Sequence, residues 1–344
     1  MVMDRSVRIS RTPLLLRLLA LIAFFPALVS HAQAPGEHVP RSGDEIMVCG
    51  QLFHTTAPVV LWIDPGGYDA YRVERRFSDF DKSSWEDSKA EVPYLDTPNR
   101  YGLRQTGLTD EQIEQVRGGG WDLPLLQQVV DQFVLHYDVC GTSAKCFQVL
   151  HDARGLSVHF MLDVDGTIYQ TLDLKERAWH ATISNTRSVG VEIANIGAYP
   201  VDDRETLDKW YATDEQGQIS LLPTRTVGRF GVRESPFYGR PARQELVVGE
   251  IQGSKLAQYD YTPEQYDSLI KLTATLCRIF PKIECAYPVD EQGQLIPHML
   301  PENQWRAFQG VLGHYHVQKN KVDPGPALDW EKVIAGAQQH LEAK

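Results

Sequence analysis

The sequence predicts an α/β fold, because segments with the pattern of buried strands alternate with segments that begin and end like helices. Residues 129–136 form an apolar run rich in β-branched side chains, which is typical of a buried strand. Residues 158–171 predict a β-hairpin with an Asp-Gly turn in its middle. Residues 262–280 open with a helix-capping pattern and predict an amphipathic helix. This alternation favours a sheet packed against helices.

The first 34 residues predict a secretory signal peptide. Four arginines precede an apolar run from Leu18 to Ser30, and Ala32-Gln33-Ala34 follows as a small-residue cleavage site. The run is shorter than the roughly 20 residues that a membrane-spanning helix needs, which argues against a membrane anchor. We therefore expect cleavage after Ala34 and an exported chain, periplasmic or secreted, that does not bind a membrane after cleavage.

The charge of the chain argues against nucleic acid or an anionic membrane as its main partner. The formal net charge is −11, and removal of residues 1–34 would take away four arginines and Asp4, which lowers it to −14. The remaining 310 residues are enough for one elaborated domain or two.

The five cysteines suggest disulfides in an exported chain. Cys140 lies close to Cys146 in the sequence, and Cys277 lies close to Cys285, so local pairing within each couple is the simplest expectation. Cys49 is then left over. The alternative is that all five are reduced and buried, because spacing alone does not fix connectivity.

Residues 35–125 form an N-terminal extension with few regular segments. Its first residues are polar, and the apolar residues within 45–63 suggest two short strands. Thr109 and Gln112 form a capping box that predicts a short helix, which the glycines from Gly118 onward end.

Residues 188–195 predict a further strand with two different faces. Three β-branched residues alternate with Gly190, Glu192 and Ala194. A carboxylate flanked on its own face only by glycine and alanine has open space above it. This pattern predicts a substrate groove over Glu192.

Residues 199–261 form a long insertion rich in Arg, Gly, Pro and Tyr, with little periodicity beyond Glu245–Ile251. Loops of this length within a domain are usually functional or disordered. A helix follows, because Thr262 and Gln265 form a capping box and Pro263 suits the first turn. A final amphipathic helix is predicted at about 327–341.

The segment 313–325 concentrates side chains that suit metal chemistry. His314 and Asp323 are zinc-type ligands, and Lys321 offers a positive charge beside them. The Asp-Pro-Gly at the end of the segment predicts a tight turn that fixes the carboxylate. A third ligand must come from elsewhere, and His136 stands at the C-terminal end of a predicted strand, where ligand residues of α/β sheets usually lie. Three such ligands with an open fourth position indicate a hydrolytic zinc site.

Six separated segments, in the same order, resemble the motifs of the type 2 N-acetylmuramoyl-L-alanine amidases, relatives of the peptidoglycan recognition proteins. The segments are Phe133–His136, Val158–Phe160, Asp165–Gln170, Arg177–His180, Gly190–Glu192 and Gly313–Gly325. The resemblance implies a mixed central β-sheet flanked by helices, with a zinc site in a surface groove. It implies an amidase domain at 126–342, because 35–125 and most of 199–261 have no counterpart in the family.

The resemblance also implies a role for each candidate residue. The zinc ligands would be His136, His314 and Asp323. Glu192 would be the catalytic base, Lys321 would assist at the scissile carbonyl, and His180 would line the substrate site. Another branch of the family has a catalytic tyrosine where this chain has Val158, so proton transfer would fall to Glu192. The spacing of Cys140 and Cys146 resembles a disulfide loop of the recognition proteins.

The implied reaction is zinc-dependent hydrolysis of the amide between N-acetylmuramic acid and L-alanine in peptidoglycan or muropeptides. One alternative is a non-catalytic peptidoglycan-recognition module, because relatives that lack a zinc ligand only bind. Another is a zinc hydrolase of a different amide, such as a peptidase or deacetylase, although the sequence contains no His-Glu-x-x-His motif.

Other histidines and tyrosines near these motifs are expected to pack rather than react. His316 alternates with His314, so in an extended segment it would point away from the metal. We expect His159 to be packed, and Tyr259 and Tyr261 to pack before the helix that follows them.

Overall fold

The computed structural model of the chain describes residues 34–88, 98, 100–233 and 237–343. The predicted signal peptide up to residue 33 lies outside these ranges. Residues Arg41–Lys344 form one compact unit. Within the described ranges, no helix is long and apolar enough to cross a membrane.

The strands and helices of this unit alternate along the chain. The strands are β1 (Glu45–Val48), β2 (Gln51–His54), β3 (Val59–Leu61), β4 (Gln132–Tyr137), β5 (Phe160–Leu162), β6 (Ile168–Gln170), β7 (Ser188–Ile193), β8 (Tyr199–Pro200), β9 (Tyr211–Thr213), β10 (Ile219–Leu221), β11 (Val247–Ile251), β12 (Ser254–Gln258) and β13 (Gly310–Gly313). The α-helices are α1 (Trp85–Ser88), α2 (Asp110–Arg117), α3 (Leu123–Val129), α4 (Ser143–Phe147), α5 (Glu205–Asp208), α6 (Pro263–Ile279), α7 (Glu302–Ala307), α8 (His314–Val317) and α9 (Trp330–Glu342).

The central sheet is mixed, as predicted. Its six strands lie in the order β13-β4-β7-β5-β6-β3. The first four run parallel to one another, β6 is antiparallel to β5, and β3 is parallel to β6. The predicted hairpin at 158–171 is therefore β5 and β6, and the predicted strand at 188–195 is β7.

Helices cover both faces of this sheet, which confirms the predicted α/β class. On one face Val191 of β7 belongs to the same buried cluster as Leu272 of α6 and Val333 of α9. On the other face Met161 of β5 packs in a cluster with Phe147 of α4. The candidate functional site lies at the end of the sheet where β4 and β13 finish.

Two predicted element boundaries are wrong. The strand predicted from Val129 begins at Gln132, because Val129 ends α3. Asp122 caps that helix by accepting a hydrogen bond from the Leu125 amide at 2.8 Å, so local capping places the first β-branched residue in the helix. The last helix begins at Trp330 rather than at residue 327, because Asp329 caps it.

The N-terminal extension contributes to the central sheet. β1 and β3 are the two short strands predicted within 45–63. β1 pairs with β2, which was not predicted, and β3 pairs with β6 at the sheet edge. The predicted capping box is also present: Thr109 and Gln112 exchange side-chain and backbone hydrogen bonds at the start of α2.

The insertion at 199–261 contains more regular structure than the sequence pattern predicts. β8, β11 and β12 form a three-stranded sheet, and β9 and β10 form a two-stranded one. These strands are two to five residues long, which is too short for a hydrophobic period to be read. The helix predicted after the insertion is α6, with the capping box at Thr262.

The predicted disulfides are not formed in this structure, since all five cysteines are free. The pairing expected from the sequence still brings thiols close together: burial and then the neighbouring Cys140 raise the pKa of Cys146, and the neighbouring Cys285 is the main cause of the raised pKa of Cys277. The two loops thus place each couple side by side as thiols.

Candidate metal centre

Two neighbouring parallel strands bring the two candidate histidine ligands together. Leu135 of β4 pairs with Gly313 of β13, so the residues that follow each of them lie side by side. These residues are His136 and His314, and both rings are buried. The carboxyl ends of parallel strands are where α/β sheets usually place their ligands.

The candidate carboxylate is held by the predicted tight turn. Gly325 donates its amide to the Val322 carbonyl at 2.9 Å and has a φ of +82°, which favours glycine. Tyr261 donates its hydroxyl to the Pro324 carbonyl at 2.7 Å. The turn is thereby fixed from a second element, and Asp323 points to the two histidines.

The three side chains converge on one point. The Nδ1 atoms of His136 and His314 are 3.0 Å apart, and the Oδ2 atom of Asp323 is 3.0 Å from the first and 2.9 Å from the second. Ligand atoms at the corners of a zinc tetrahedron are about 3.3 to 3.4 Å apart for bonds of about 2.05 Å. The observed spacing is a few tenths of an ångström shorter. These residues could therefore hold a metal ion.

The hydrogen bonds at the outer nitrogens leave the inner ones free to bind a metal. His314 Nε2 lies 3.1 Å from Gln318 Oε1, which can only accept, so this nitrogen carries the proton. His136 Nε2 lies 3.0 Å from His180 Nδ1. The other ring nitrogen of His180, Nε2, lies beside the Ser188 hydroxyl. When His180 carries its proton on Nε2, its Nδ1 accepts a hydrogen bond from His136 Nε2. Such outer-nitrogen partners fix ring orientation at metal centres.

The electrostatics favour a neutral ring at His136 and an anion at Asp323. Burial, helped by the neighbouring His314, lowers the pKa of His136 to about 4. Burial would raise the pKa of Asp323, but the charge and hydrogen bonds of the two histidines outweigh it and lower that pKa. Neutral imidazoles and a carboxylate are the forms that bind zinc.

His180 contacts the candidate metal ligand His136, a contact that the sequence does not indicate. Burial, and then the charge of His136, lower its pKa well below the usual value, so the ring is neutral. The ring lies directly over Gly190, where any side chain would overlap it. His180 therefore fills the space above Gly190, while Glu192, above which open space was predicted, lines the cavity.

A cavity of about 150 Å³ lies over the three ligands. Its lining includes every candidate site residue predicted from the sequence: His136, His180, Glu192, His314, Lys321 and Asp323. Glu192 pairs with His136 in the β4–β7 register. Burial, followed by the charges of Asp323 and Asp138, raises the pKa of Glu192 well above its usual value.

Other residues of the lining were missed by sequence reasoning, among them Asp138, Cys140, Arg154 and Trp179. Asp138 accepts hydrogen bonds from the amides of Cys140 and Gly141, both at 2.9 Å. An aspartate that is followed two or three residues later by glycine often forms such a turn. The sequence therefore contains a signal for the position of Asp138. Arg154 gives no comparable signal, since it follows an irregular helical turn.

The residues expected to pack do so. His316 lies in the helical turn α8 rather than in an extended segment, and it still points away from the ligands, with Nε2 2.7 Å from the Ile296 carbonyl. His159 is buried and accepts a hydrogen bond from the Gly190 amide at 3.1 Å. Tyr261 is buried.

Comparisons with known proteins point to one family. The Amidase_2 family model, described as N-acetylmuramoyl-L-alanine amidase, matches residues 126–326, which is more than half of the chain. Among curated proteins, 1,6-anhydro-N-acetylmuramyl-L-alanine amidase AmpD of Haemophilus influenzae is 21% identical over 220 residues, or 63% of this chain and 73% of AmpD.

Solved structures of amidases are also similar to parts of the chain. A selenomethionine derivative of AmpD has a TM-score of 0.30 and 18% identity, over 61% of this chain and 86% of that one. AmiD from E. coli, in complex with anhydro-N-acetylmuramic acid-L-Ala-D-γ-Glu-L-Lys, has a TM-score of 0.33 and 16% identity, over 60% and 57%. These scores are low, and the fold described above rests on this chain's own strands and helices.

Proposed function

The chain belongs to the N-acetylmuramoyl-L-alanine amidase family, and we propose that its reaction is zinc-dependent hydrolysis of the amide between N-acetylmuramic acid and L-alanine in peptidoglycan or muropeptides. The observation that carries the zinc dependence is the convergence of His136, His314 and Asp323 within 3.0 Å. Three electron-pair donors at this spacing repel one another unless a cation lies between them.

The cavity supplies the remaining parts of a hydrolytic site. Bound to the three ligands, a zinc ion would polarise the amide carbonyl and acidify a water molecule. Glu192, on the strand beside His136, would take the proton of the attacking water and pass it to the leaving amine. Lys321 would stabilise the charge that develops on the carbonyl oxygen. His180 would hold the ring of His136 and contact substrate.

The position of Val158 supports the assignment of the base. Its side chain is buried and has no group that can transfer a proton. Of the carboxylates that line the cavity, Asp323 is a proposed metal ligand and Asp138 accepts backbone hydrogen bonds. Glu192 does neither. Proton transfer therefore falls to Glu192.

Metal content and product identity test this proposal together. The protein without residues 1–34 should contain about one zinc ion per chain by elemental analysis, and His314→Ala should lose it. His298→Ala, which changes an exposed histidine outside the cavity, is the matched control. Mass spectrometry of digested muropeptides should show free stem peptides that begin with L-alanine, and a chelator should stop their release.

Two results would contradict parts of the proposal. Zinc binding without release of peptides would favour a recognition module. Release that persists in the chelated protein and in His314→Ala would remove the metal from the mechanism.

We also propose that residues 126–342 carry the catalytic domain and that residues 1–34 direct export. The location of all three metal ligands and of Glu192 within 126–342 supports the first point. Cell fractionation of the full chain, compared with a variant whose apolar run is interrupted by two arginines, tests the second.

A further inference from the structure

A second, larger cavity borders the site. It has a volume of about 520 Å³ and shares part of its lining with the metal-site cavity, at Val139, Cys140 and Val149. Many of its other lining residues belong to the insertion at 199–261. One of them is Trp210, whose ring lies against Gly141. We call it the insertion cavity. Because three residues line both cavities, the two cavities are adjacent, and the insertion cavity lies within reach of a ligand bound at the metal site.

Positive charge dominates the insertion cavity. Its lining includes Lys145, Arg225 and Arg229, and none of its described lining residues is acidic. Among the residues that the structure describes, none of these three cations is in an ion pair with a carboxylate: Lys145 donates to the Gln148 side-chain oxygen at 2.6 Å, and the two arginines donate to backbone carbonyls. Three cations without counter-charge in a chain of net charge −11 indicate an anionic ligand.

Aromatic rings hold two of the three cations in place. The Lys145 ammonium lies 4.9 Å from the centre of the Phe230 ring, and the Arg225 guanidinium lies 5.4 Å from the Trp210 ring. Thr142 donates its hydroxyl to the Phe230 carbonyl at 2.8 Å, which ties the insertion to the loop after β4. The charges are thereby positioned before a ligand binds, which reduces the entropic cost of binding.

The shared wall carries a backbone feature typical of functional sites. Val139 has a φ of +55°, a conformation that β-branched residues rarely adopt, and its side chain is 51% exposed. Strained residues of this kind persist where the surrounding structure holds them, and they cluster at ligand sites. Here the exposed apolar side chain lies between the metal site and the cations.

From these observations we propose that the insertion cavity binds the carboxylates of the substrate's stem peptide beyond the scissile L-alanine. The inference rests on the proposed function, which places the scissile amide over the metal ligands. On one side of that amide the N-acetylmuramic acid is uncharged once its lactyl group is in amide linkage. On the other side the peptide carries free carboxylates, which arginine binds through two parallel hydrogen bonds. Charge complementarity therefore favours the peptide over the sugar.

The test compares two substrates that share the scissile bond and differ in charge. One is N-acetylmuramoyl-L-alanyl-γ-D-glutamyl-L-lysine, and the other has both carboxylates converted to amides. The variant is Arg225→Gln with Arg229→Gln, and Arg240→Gln is the control, because Arg240 belongs to the insertion but not to the lining of the cavity. Neither substituted arginine lies among the proposed catalytic or metal-binding residues.

We expect the unmodified protein to have the lower KM for the charged substrate. An exposed charge pair contributes a factor of about 1.5 to 5 in affinity, so the double variant should raise this KM about two- to twentyfold. Its kcat, and its KM for the amidated substrate, should stay within about twofold of the unmodified protein's. Equal KM values for both substrates, or a double variant that behaves like Arg240→Gln, would overturn the proposal. If the double variant raised KM only for substrates with longer glycan chains, the cavity would be assigned to sugar binding instead.

A binding measurement separates this inference from the proposed function. Calorimetry with the free peptide L-alanyl-γ-D-glutamyl-L-lysine needs no hydrolysis. If neither muropeptide is cleaved but the peptide binds and the double variant weakens its binding, the proposed reaction fails and the cavity assignment stands. If muropeptides are cleaved but the peptide binds equally to both proteins, the cavity assignment fails alone.

Discussion

Replacing Glu192 by glutamine should remove most of the hydrolytic activity and leave the metal centre intact. The substitution keeps the size of the side chain and removes only its ability to accept a proton. Glu192 is not one of the three converging ligands, so zinc content should not change. The carboxylate also lies in the field of Asp323 and Asp138, whose charges, after burial, raise its pKa. Removing its charge relieves that repulsion, and the fold should be no less stable.

The size of the loss follows from the role of the residue. A positioned general base contributes a factor of about 10² to 10⁴ in rate, which corresponds to about 3 to 5 kcal/mol in the barrier. Because Glu192 would both activate the water and protonate the amine, we expect the loss to fall near the upper end. The KM should change little, since the glutamine still fills the same volume beside the substrate.

The assay is release of stem peptides from a purified muropeptide, measured by chromatography, with zinc content and unfolding temperature determined on the same samples. Glu250→Gln is the matched control, because Glu250 is exposed on β11 and does not line the cavity. A glutamine variant that retains zinc and more than about a tenth of the activity would show that Glu192 is not the base. A variant that loses zinc would instead place Glu192 in the metal centre.

Three further substitutions test the packing beside the site and the stability of the fold. Gly190→Ala should overlap the ring of His180, destabilise the fold by about 1 to 3 kcal/mol and lower zinc affinity, as measured by unfolding and metal titration. Arg104→Met should cost about 2 kcal/mol in urea unfolding, because the buried guanidinium donates to three backbone carbonyls that would lose their partner. Glu45 accepts three hydrogen bonds from residues 42–43, which outweigh the effect of burial and lower its pKa to about 2. The stability that Glu45 provides should therefore be complete above pH of about 4.5 and lost as the pH falls to about 2, and Glu45→Gln should remove that pH dependence from unfolding curves.

Two of the three candidate metal ligands lie beside a strong local signal, and the resemblance to the amidase family implied the full set. His136 ends a buried strand, and Asp323 precedes a proline and a glycine that fix a turn. The side-chain alternation in β7 likewise separated Glu192 from the core face. What brings these residues together is the pairing of β4 with β13, and β13 was not predicted, because four residues bounded by glycines carry too little pattern.

The insertion cavity could not be predicted for a different reason. Its cations come from α4 and from the segment after β10, and no local pattern relates the two. The contact that joins them is the hydrogen bond from Thr142 to the Phe230 carbonyl, which spans 88 residues of sequence. Contacts of this kind depend on the tertiary fold, whereas capping boxes and turns depend on neighbours three or four residues away.

The insertion also contacts the candidate metal centre, which affects how the role of the insertion can be tested. Gln258 of β12 and Tyr261 both donate hydrogen bonds to the Pro324 carbonyl, next to the ligand Asp323. Deleting residues 199–261 would remove these two bonds together with the cations of the insertion cavity. Loss of activity in such a deletion would then have two explanations, a displaced ligand or a lost peptide site. Point substitutions at Arg225 and Arg229 leave the Pro324 contacts unchanged, and for this reason they alone can assign a separate binding role to the insertion.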